Sequence, residues 1–265
     1  NGQGLSGSKV RNVIVPLQAL YRHNRRRVPL DPTDGLDLPA GGSRRERAAT
    51  PAEAAELLDA LPEEDRALWA TAFYAGLRRG ELRALRWKHV HGLGTLDPLR
   101  IHVEAGWDDY EGEIAPKSVK GRRTVPAPEL LRPYLEAHER RRLSVAMIAG
   151  GDELVFGREP DKPFTSTYIR KRALDAWQAA NEDRSEAGLD LLAPIKLQEC
   201  RHTYVSLMHA AGIPLERIGD YVGHSSTYMT DRYRHLLEGQ GAKDAAELDR
   251  YLNGARTGAQ EEDEA

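Results

Sequence analysis

Apolar residues recur at helical spacing along most of this chain, and the spacing drops to two only between Leu99 and Pro126, where Ile101, Val103 and Ala105 alternate. That interruption constrains the fold more than any other feature. A doubly wound sheet requires strands and helices in repeated alternation, and the sequence has neither that alternation nor an internal repeat. The chain is therefore expected to be α+β, mostly α-helical, with one small antiparallel β-meander. Its turns are marked by Asp108, Asp109 and Gly112 and by Lys120 and Gly121, before Thr124 and Val125. Helices are expected at about 51–60, 63–75, 79–86, 128–145, 166–182, 198–211, 215–222, 226–237 and 243–252. Thr50, Pro51 and Glu53 have the spacing of a capping box, and Gly76 is placed to end the second of these helices.

Ahead of Thr50 lies a different kind of sequence. Residues 8–27 carry Val10, Val13, Ile14, Leu17, Leu20 and Tyr21 at helical period and close on Arg25, Arg26 and Arg27, while 28–48 is rich in Pro, Gly and Asp and reads as a linker. The expected organisation is a C-terminal remnant of a preceding domain at 1–27, a linker at 28–48, a main domain at 49–253 and an acidic, disordered tail at 254–265. Charge follows the same division. The net charge of the 265 residues is -3, which taken alone argues against a nucleic-acid partner, but residues 1–48 hold nine basic residues against four acids (+5) and 237–265 hold three against eight (-5). No apolar run reaches the roughly 20 residues of a membrane span. The single cysteine, Cys200, excludes an internal disulfide and any multi-cysteine zinc site, and with no signal segment at the start a cytoplasmic location is expected.

No phosphate-binding glycine loop, no His-Glu-x-x-His and no metal-spaced histidine cluster is present, so no cofactor and no metal are expected. What remains is a set of arginines, histidines and a tyrosine beside helix ends. In Tyr74-Ala75-Gly76-Leu77-Arg78-Arg79-Gly80-Glu81-Leu82 a helix breaks at glycine, an arginine occupies the turn and the next helix opens on a carboxylate. By itself Arg78 reads equally as a surface salt bridge. The helix of Leu197-Gln198-Glu199-Cys200-Arg201-His202-Thr203 has Cys200, Tyr204, Leu207, Met208 and Ala211 as its apolar stripe, with Arg201 beside it, a place where an arginine stem often just covers apolar surface. In the stretch from Gly212 to Ser226, Leu215, Ile218, Tyr221 and Val222 form one face, and Gly223 caps the helix end. His224 is thereby held in a tight turn, with Ser225 or Ser226 capping the next helix. The same spacing suits a helix-turn-helix. Tyr233, at helical spacing from Met229 and Leu236, reads on its own as a core tyrosine.

Together these stretches resemble the catalytic domain of the tyrosine recombinases, the phage-integrase family. The resemblance rests on Ala75-Gly76-Leu77-Arg78-Arg79-Gly80-Glu81-Leu82, then Pro116-Lys117-Ser118 leading through Gly121-Arg122-Arg123-Thr124-Val125-Pro126, then Arg201-His202-Thr203, Gly223-His224-Ser225-Ser226 and Tyr233-Arg234-His235. They fall in the family's order, with Tyr233 nine residues after His224. The match covers about 49–253, and 8–27 is similar to the last helix of the family's core-binding domain.

The resemblance implies an integrase-type fold and a metal-independent DNA strand transferase, a site-specific recombinase of phage or mobile-element type. Tyr233 is implied as the nucleophile, making a 3′-phosphotyrosyl intermediate that conserves the bond energy. Arg78 and Arg201 are implied to clamp the scissile phosphate, which their fork geometry suits, and His224 to add a hydrogen bond. Lys117 is implied as the general acid, with Lys120 its substitute, and Glu81 as a support that orients an arginine or the turn. The implied partners are double-stranded DNA attachment sites, other protomers in a synaptic tetramer and a directionality factor. The helix at 243–252 is a candidate for docking on a neighbouring protomer. One departure concerns Gln198, three residues before Arg201, where the family usually has histidine or lysine: glutamine cannot shuttle a proton, so the tyrosine proton leaves through water or His202, or catalysis is slowed. The alternatives are a type IB topoisomerase-like relaxation activity, a helix-turn-helix regulator built on 213–237, and a relative that has lost catalysis and only binds DNA.

Overall fold

The computed structural model describes residues 4–40, 47–116, 121–145 and 151–223. The expected helices at 226–237 and 243–252, the tail at 254–265, and Lys117, Lys120, His224 and Tyr233 lie outside the described residues. The chain divides into two compact units, Asn1–Glu46 and Arg47–Ala265.

In the first unit, helix α1 (Gly7–His23) opens on Ser6, whose side chain accepts the Lys9 N–H. It stops four residues short of the expected end because Asn24 folds back on the Leu20 carbonyl with both its backbone N–H and its side-chain amide. Arg25–Arg27 form a turn instead. Residues 28–40 lie along the helix, held by Arg11 donating to the Pro39 carbonyl (2.7 Å) and Gln18 to the Thr33 carbonyl (3.4 Å). No residue of α1 is buried, so its periodic apolar residues do not form a core within this unit.

The second unit is built around one helix. After α2 (Pro51–Asp59), α3 (Glu63–Ala75) is buried on nearly every face, from Ala67 through Ala75. It packs against α2, α5 (Arg132–Val145) and α7 (Leu197–Ala210). Trp69 meets Trp177 of α6 (Ser166–Glu186) edge to face at 5.1 Å, and the Trp177 indole donates to the Leu57 carbonyl at the end of α2 (2.9 Å). Thr50 accepts the Glu53 N–H as a cap should, but the Glu53 carboxylate is taken by Arg47, so only half of the expected capping box forms as such.

The interruption in helical period becomes a three-stranded antiparallel sheet of β1 (Val90–His91), β2 (Arg100–Val103) and β5 (Arg123–Pro126), in that order, with Ile101 opposite Val125 and Val103 opposite Arg123. Between β2 and β5 a hairpin of β3 (Gly106–Asp108) and β4 (Gly112–Ile114) turns where Asp108 accepts the N–H groups of Tyr110 and Glu111. A second hairpin, β6 (Gly157–Glu159) with β7 (Lys162–Pro163), has no counterpart in the sequence reading. A short α4 (Arg79–Ala84) and α8 (Leu215–Val222) complete the described α-helices. On α7 the buried stripe is shifted toward its start: Cys200, Tyr204 and Val205 are buried, Leu207 and Met208 half-buried, and Ala211, expected inside, is exposed. Among the described residues no helix is long and apolar enough to cross a membrane.

Candidate active site

Two helices end on left-handed glycines, and carbonyls from both ends converge on Arg201. At the end of α3, Gly76 has φ +60°, and a Cβ there would meet the Tyr204 ring at 2.5 Å, so both conformation and space require glycine. At the end of α8, Gly223 has φ +66°. Arg201 is 1% exposed; its guanidinium donates Nη1 to the Gly76 carbonyl (2.7 Å) and Nη2 to the Val222 carbonyl. A buried, permanently charged guanidinium requires such partners, and the negative ends of two helix dipoles suit it.

Arg78 stands at the N-cap of α4, where extended backbone turns into helix. Glu81, on the first turn of α4, accepts the Arg78 backbone N–H through Oε2 and its Nη1 through Oε1, both at 2.8 Å. The Arg78 Nη2 reaches across to the Gly223 carbonyl (3.0 Å), the residue before His224 in sequence. Glu81 lies 4.0 Å from Arg201 as well. Burial alone would push the Glu81 carboxyl up; hydrogen bonds and charge from Arg123, then the charges of Arg201 and Arg78, reverse this and hold it at about 2.

Arg123 is the member that sequence reading missed. Its Nη1 and Nη2 donate to Oε1 and Oε2 of Glu81 (2.9 and 2.8 Å), its Nε to the Tyr221 carbonyl (2.5 Å) and its Nη1 also to the Gly121 carbonyl (3.2 Å). The signal was present in the alternation: Arg123 is two residues before buried Val125, and so on the inward face of β5. Three arginines thus surround one carboxylate, a surplus of 3 - 1 = 2 positive charges among these four residues. The Arg78 side chain is 38% exposed, whereas Arg123 is 6%.

Beside this cluster opens a cleft of about 340 Å³ lined by Arg78, Glu81, Trp107, Pro116, Gly121 and Gly223. The β3–β4 hairpin forms its wall, held to α4 by Arg83 donating to Asp109 (2.5 Å), and by a close approach at Gly80, where a Cβ would stand 3.2 Å from the Trp107 carbonyl oxygen. Pro116 and Gly121 flank, in sequence, the segment that contains Lys117. The structure therefore brings together Arg78, Glu81 and Arg201 of the expected site, and adds Arg123. His202 is buried at 6% exposure in α7, and Gln198 is exposed on the first turn of that helix, one turn before Arg201. A surplus of positive charge, with one arginine open to a cleft, is an arrangement that binds a phosphate and stabilises charge developing on it.

The profile of the Phage integrase family matches residues 47–240. An integrase of Streptomyces ambofaciens is 34% identical over 208 residues, 73% of this chain and 50% of that protein. A tyrosine recombinase, XerC-like, of Caldanaerobacter subterraneus subsp. tengcongensis is 28% identical over 184 residues, 66% of this chain and 46% of its own. The chain thus spans about half the length of these two relatives. The integrase of the Tn1549 transposon, solved in complex with a circular intermediate DNA, superposes with a TM-score of 0.71 at 18% identity, covering 94% of this chain and 80% of that one. At that identity the likeness is one of fold.

Proposed function

The chain belongs to the phage integrase family, and from that premise we propose that it is a site-specific recombinase that cuts and rejoins DNA strands through a 3′-phosphotyrosyl intermediate. The observation that carries this reading is the cluster itself: Arg78, Arg123 and Arg201, remote in sequence, surround Glu81 and leave two positive charges in excess at a cleft. In this reading the Tyr233 oxygen, giving up its proton to water or to His202, attacks the scissile phosphate, a phosphotyrosyl bond forms, and the P–O bond to the 5′ oxygen breaks. Lys117 protonates that departing oxygen, leaving a 5′ hydroxyl. Arg78 and Arg201 bind the non-bridging oxygens and His224 adds a hydrogen bond, so the charge gained in the pentavalent transition state meets preplaced donors. The reverse attack by a 5′ hydroxyl reseals the strand, which needs no external energy source.

Residues 1–27 are then the end of a core-binding domain, 28–48 a linker, 49–253 the catalytic domain and 254–265 a tail. The partners are double-stranded attachment sites in the bacterial cytoplasm, three further protomers in a synaptic tetramer, and a directionality factor. The segment 243–252 is the element that docks on a neighbouring protomer.

Incubation with a pool of nicked duplexes of randomised sequence should give a detergent-resistant protein–DNA adduct whose modified residue, located by mass spectrometry, is Tyr233. Tyr233→Phe should abolish the adduct and retain gel-shift binding. Adducts persisting in that variant would move the nucleophile to Tyr228 or Tyr221. Relaxation of one supercoiled plasmid without exchange between two sites would favour topoisomerase-like action instead.

A further inference from the structure

Arg123 has no part in the chemistry just described, yet it spends four contacts on two backbone carbonyls and both oxygens of one carboxylate. Its two Nη atoms grip both oxygens of Glu81, the residue that also holds the Arg78 backbone and guanidinium. Its Nη1 also binds the Gly121 carbonyl, directly after the segment that contains Lys117, and its Nε binds the Tyr221 carbonyl, three residues before His224. Arg123 commits all three of its nitrogens to Glu81, Gly121 and Tyr221, whereas Arg78, 38% exposed, lines the cleft. The two arginines thus differ in task as well as in place.

We infer that Arg123 is a positioning residue, a single guanidinium that fixes the spacing between the α4 turn, the end of the β4–β5 connection and the C-terminus of α8, three places that lie close in sequence to Arg78, Lys117 and His224. Only a planar fork with a third donor along its edge can meet this set: lysine keeps the charge but has a single nitrogen, which cannot span both Glu81 oxygens while also reaching Tyr221 and Gly121. The strand supplies the rest. Antiparallel pairing of Arg123 with Val103 and of Val125 with Ile101 fixes the direction in which the side chain enters. Misplacement of about 1 Å between reacting groups can cost on the order of 10²-fold in rate, so a residue that touches no substrate can still control it.

The role deepens the recombinase reading and rests on it for its activity readout, but not for its structural one. Arg123→Lys, chosen because it keeps the charge and an aliphatic stem, should lower the single-turnover cleavage rate at saturating nicked DNA by about 10²-fold, with the DNA dissociation constant within about twofold of wild type. In the DNA-free protein, amide hydrogen exchange should speed up at both 121–123 and 219–223 while the core of α3 stays as protected as before. A cleavage rate within threefold of wild type overturns the assignment. So does unchanged exchange at either segment, and so does a rate loss matched by an equal loss of DNA affinity. If wild type forms no adduct at all, the recombinase reading falls, and the exchange measurement still decides whether Arg123 ties these segments.

Discussion

Two acidic residues of the second unit meet arginines, and the fold treats them in opposite ways. Asp65, on the first turn of α3, accepts Arg172 Nε at 2.8 Å, but Arg172 is shared with Glu64, which pairs with it too. Burial pushes the Asp65 carboxyl up, and Arg172, with Glu64 repelling from the same turn, does not bring it back to its ordinary value. At Glu81 burial is also the largest influence, yet three arginines overcome it and hold the carboxyl at about 2. The first group sums to -2 + 1 = -1 and ties α6 to α3. The second sums to -1 + 3 = +2 and sits at a cleft. A tie between helices needs its charges roughly matched, whereas an anion site needs a surplus of cation held in place by something already negative. Glu81 performs that holding.

The widest separation between the two groups should appear in catalysis. Arg201→Lys loses the fork that spans the carbonyls of Gly76 and Val222, and single-turnover cleavage of nicked DNA should drop by about 10³-fold. Arg172→Lys should leave it within about twofold. An equal loss in both variants would erase the distinction between site and tie.

Stability separates them next. At pH 7, Glu81→Gln leaves three arginines facing each other without their shared counter-charge and should cost about 3 kcal/mol in denaturant unfolding, while Asp65→Asn should stay within about 1 kcal/mol. The pH dependences should run in opposite directions. Glu81 titrates lower folded than unfolded, so its contribution is present above the ordinary value of 4.5 and is lost as pH falls from there toward about 2, for a total of about 3 kcal/mol. Asp65 titrates higher folded than unfolded, so its ionisation costs stability, and the cost grows as pH rises from the ordinary 3.8 through its raised value. The gap between wild type and Glu81→Gln should therefore close on acidification, and Asp65→Asn should gain on wild type as pH rises. A gap for Glu81→Gln that persists at pH 2 would show that shape, not charge, carries its effect.

Which of these groups sequence could find follows from how each is made. Arg78 and Glu81 are a local construction, an N-cap and the residue three on, and that spacing is visible in any reading of the chain. Gly76 and Gly223 were legible for the same reason. Arg201 was visible only as an arginine beside an apolar stripe, because its partners are carbonyls brought in by two other helix ends. Arg123 stands inside a motif that does not reveal its role, since three of its four contacts go to remote segments; the period-2 step to Val125 is the one local sign that it points inward. The Asp65–Arg172 tie left no such sign, and the β6–β7 hairpin, with strands of three and two residues, is too short to show a period.

The smallest expected effect asks whether the surplus of charge serves only to bind an anion or also helps move a proton. Gln198 lies exposed on the first turn of α7, and Arg201 follows three residues later on the same side of the helix. Glutamine donates and accepts hydrogen bonds but does not titrate, so it cannot take the proton of an attacking tyrosine. In Gln198→His an imidazole would stand at a helix N-terminus one turn before Arg201, and the helix dipole and that positive charge both disfavour its charged form and keep it a base at neutral pH. Cleavage should then quicken by about tenfold, and the pH–rate profile should gain an ascending limb below pH 6.5 that wild type lacks. Arg201, proposed to hold the phosphate, would thus also tune the base. An unchanged or slower rate would show that Gln198 already works through its hydrogen bonds, and that in this chain the cluster's surplus acts on the phosphate alone.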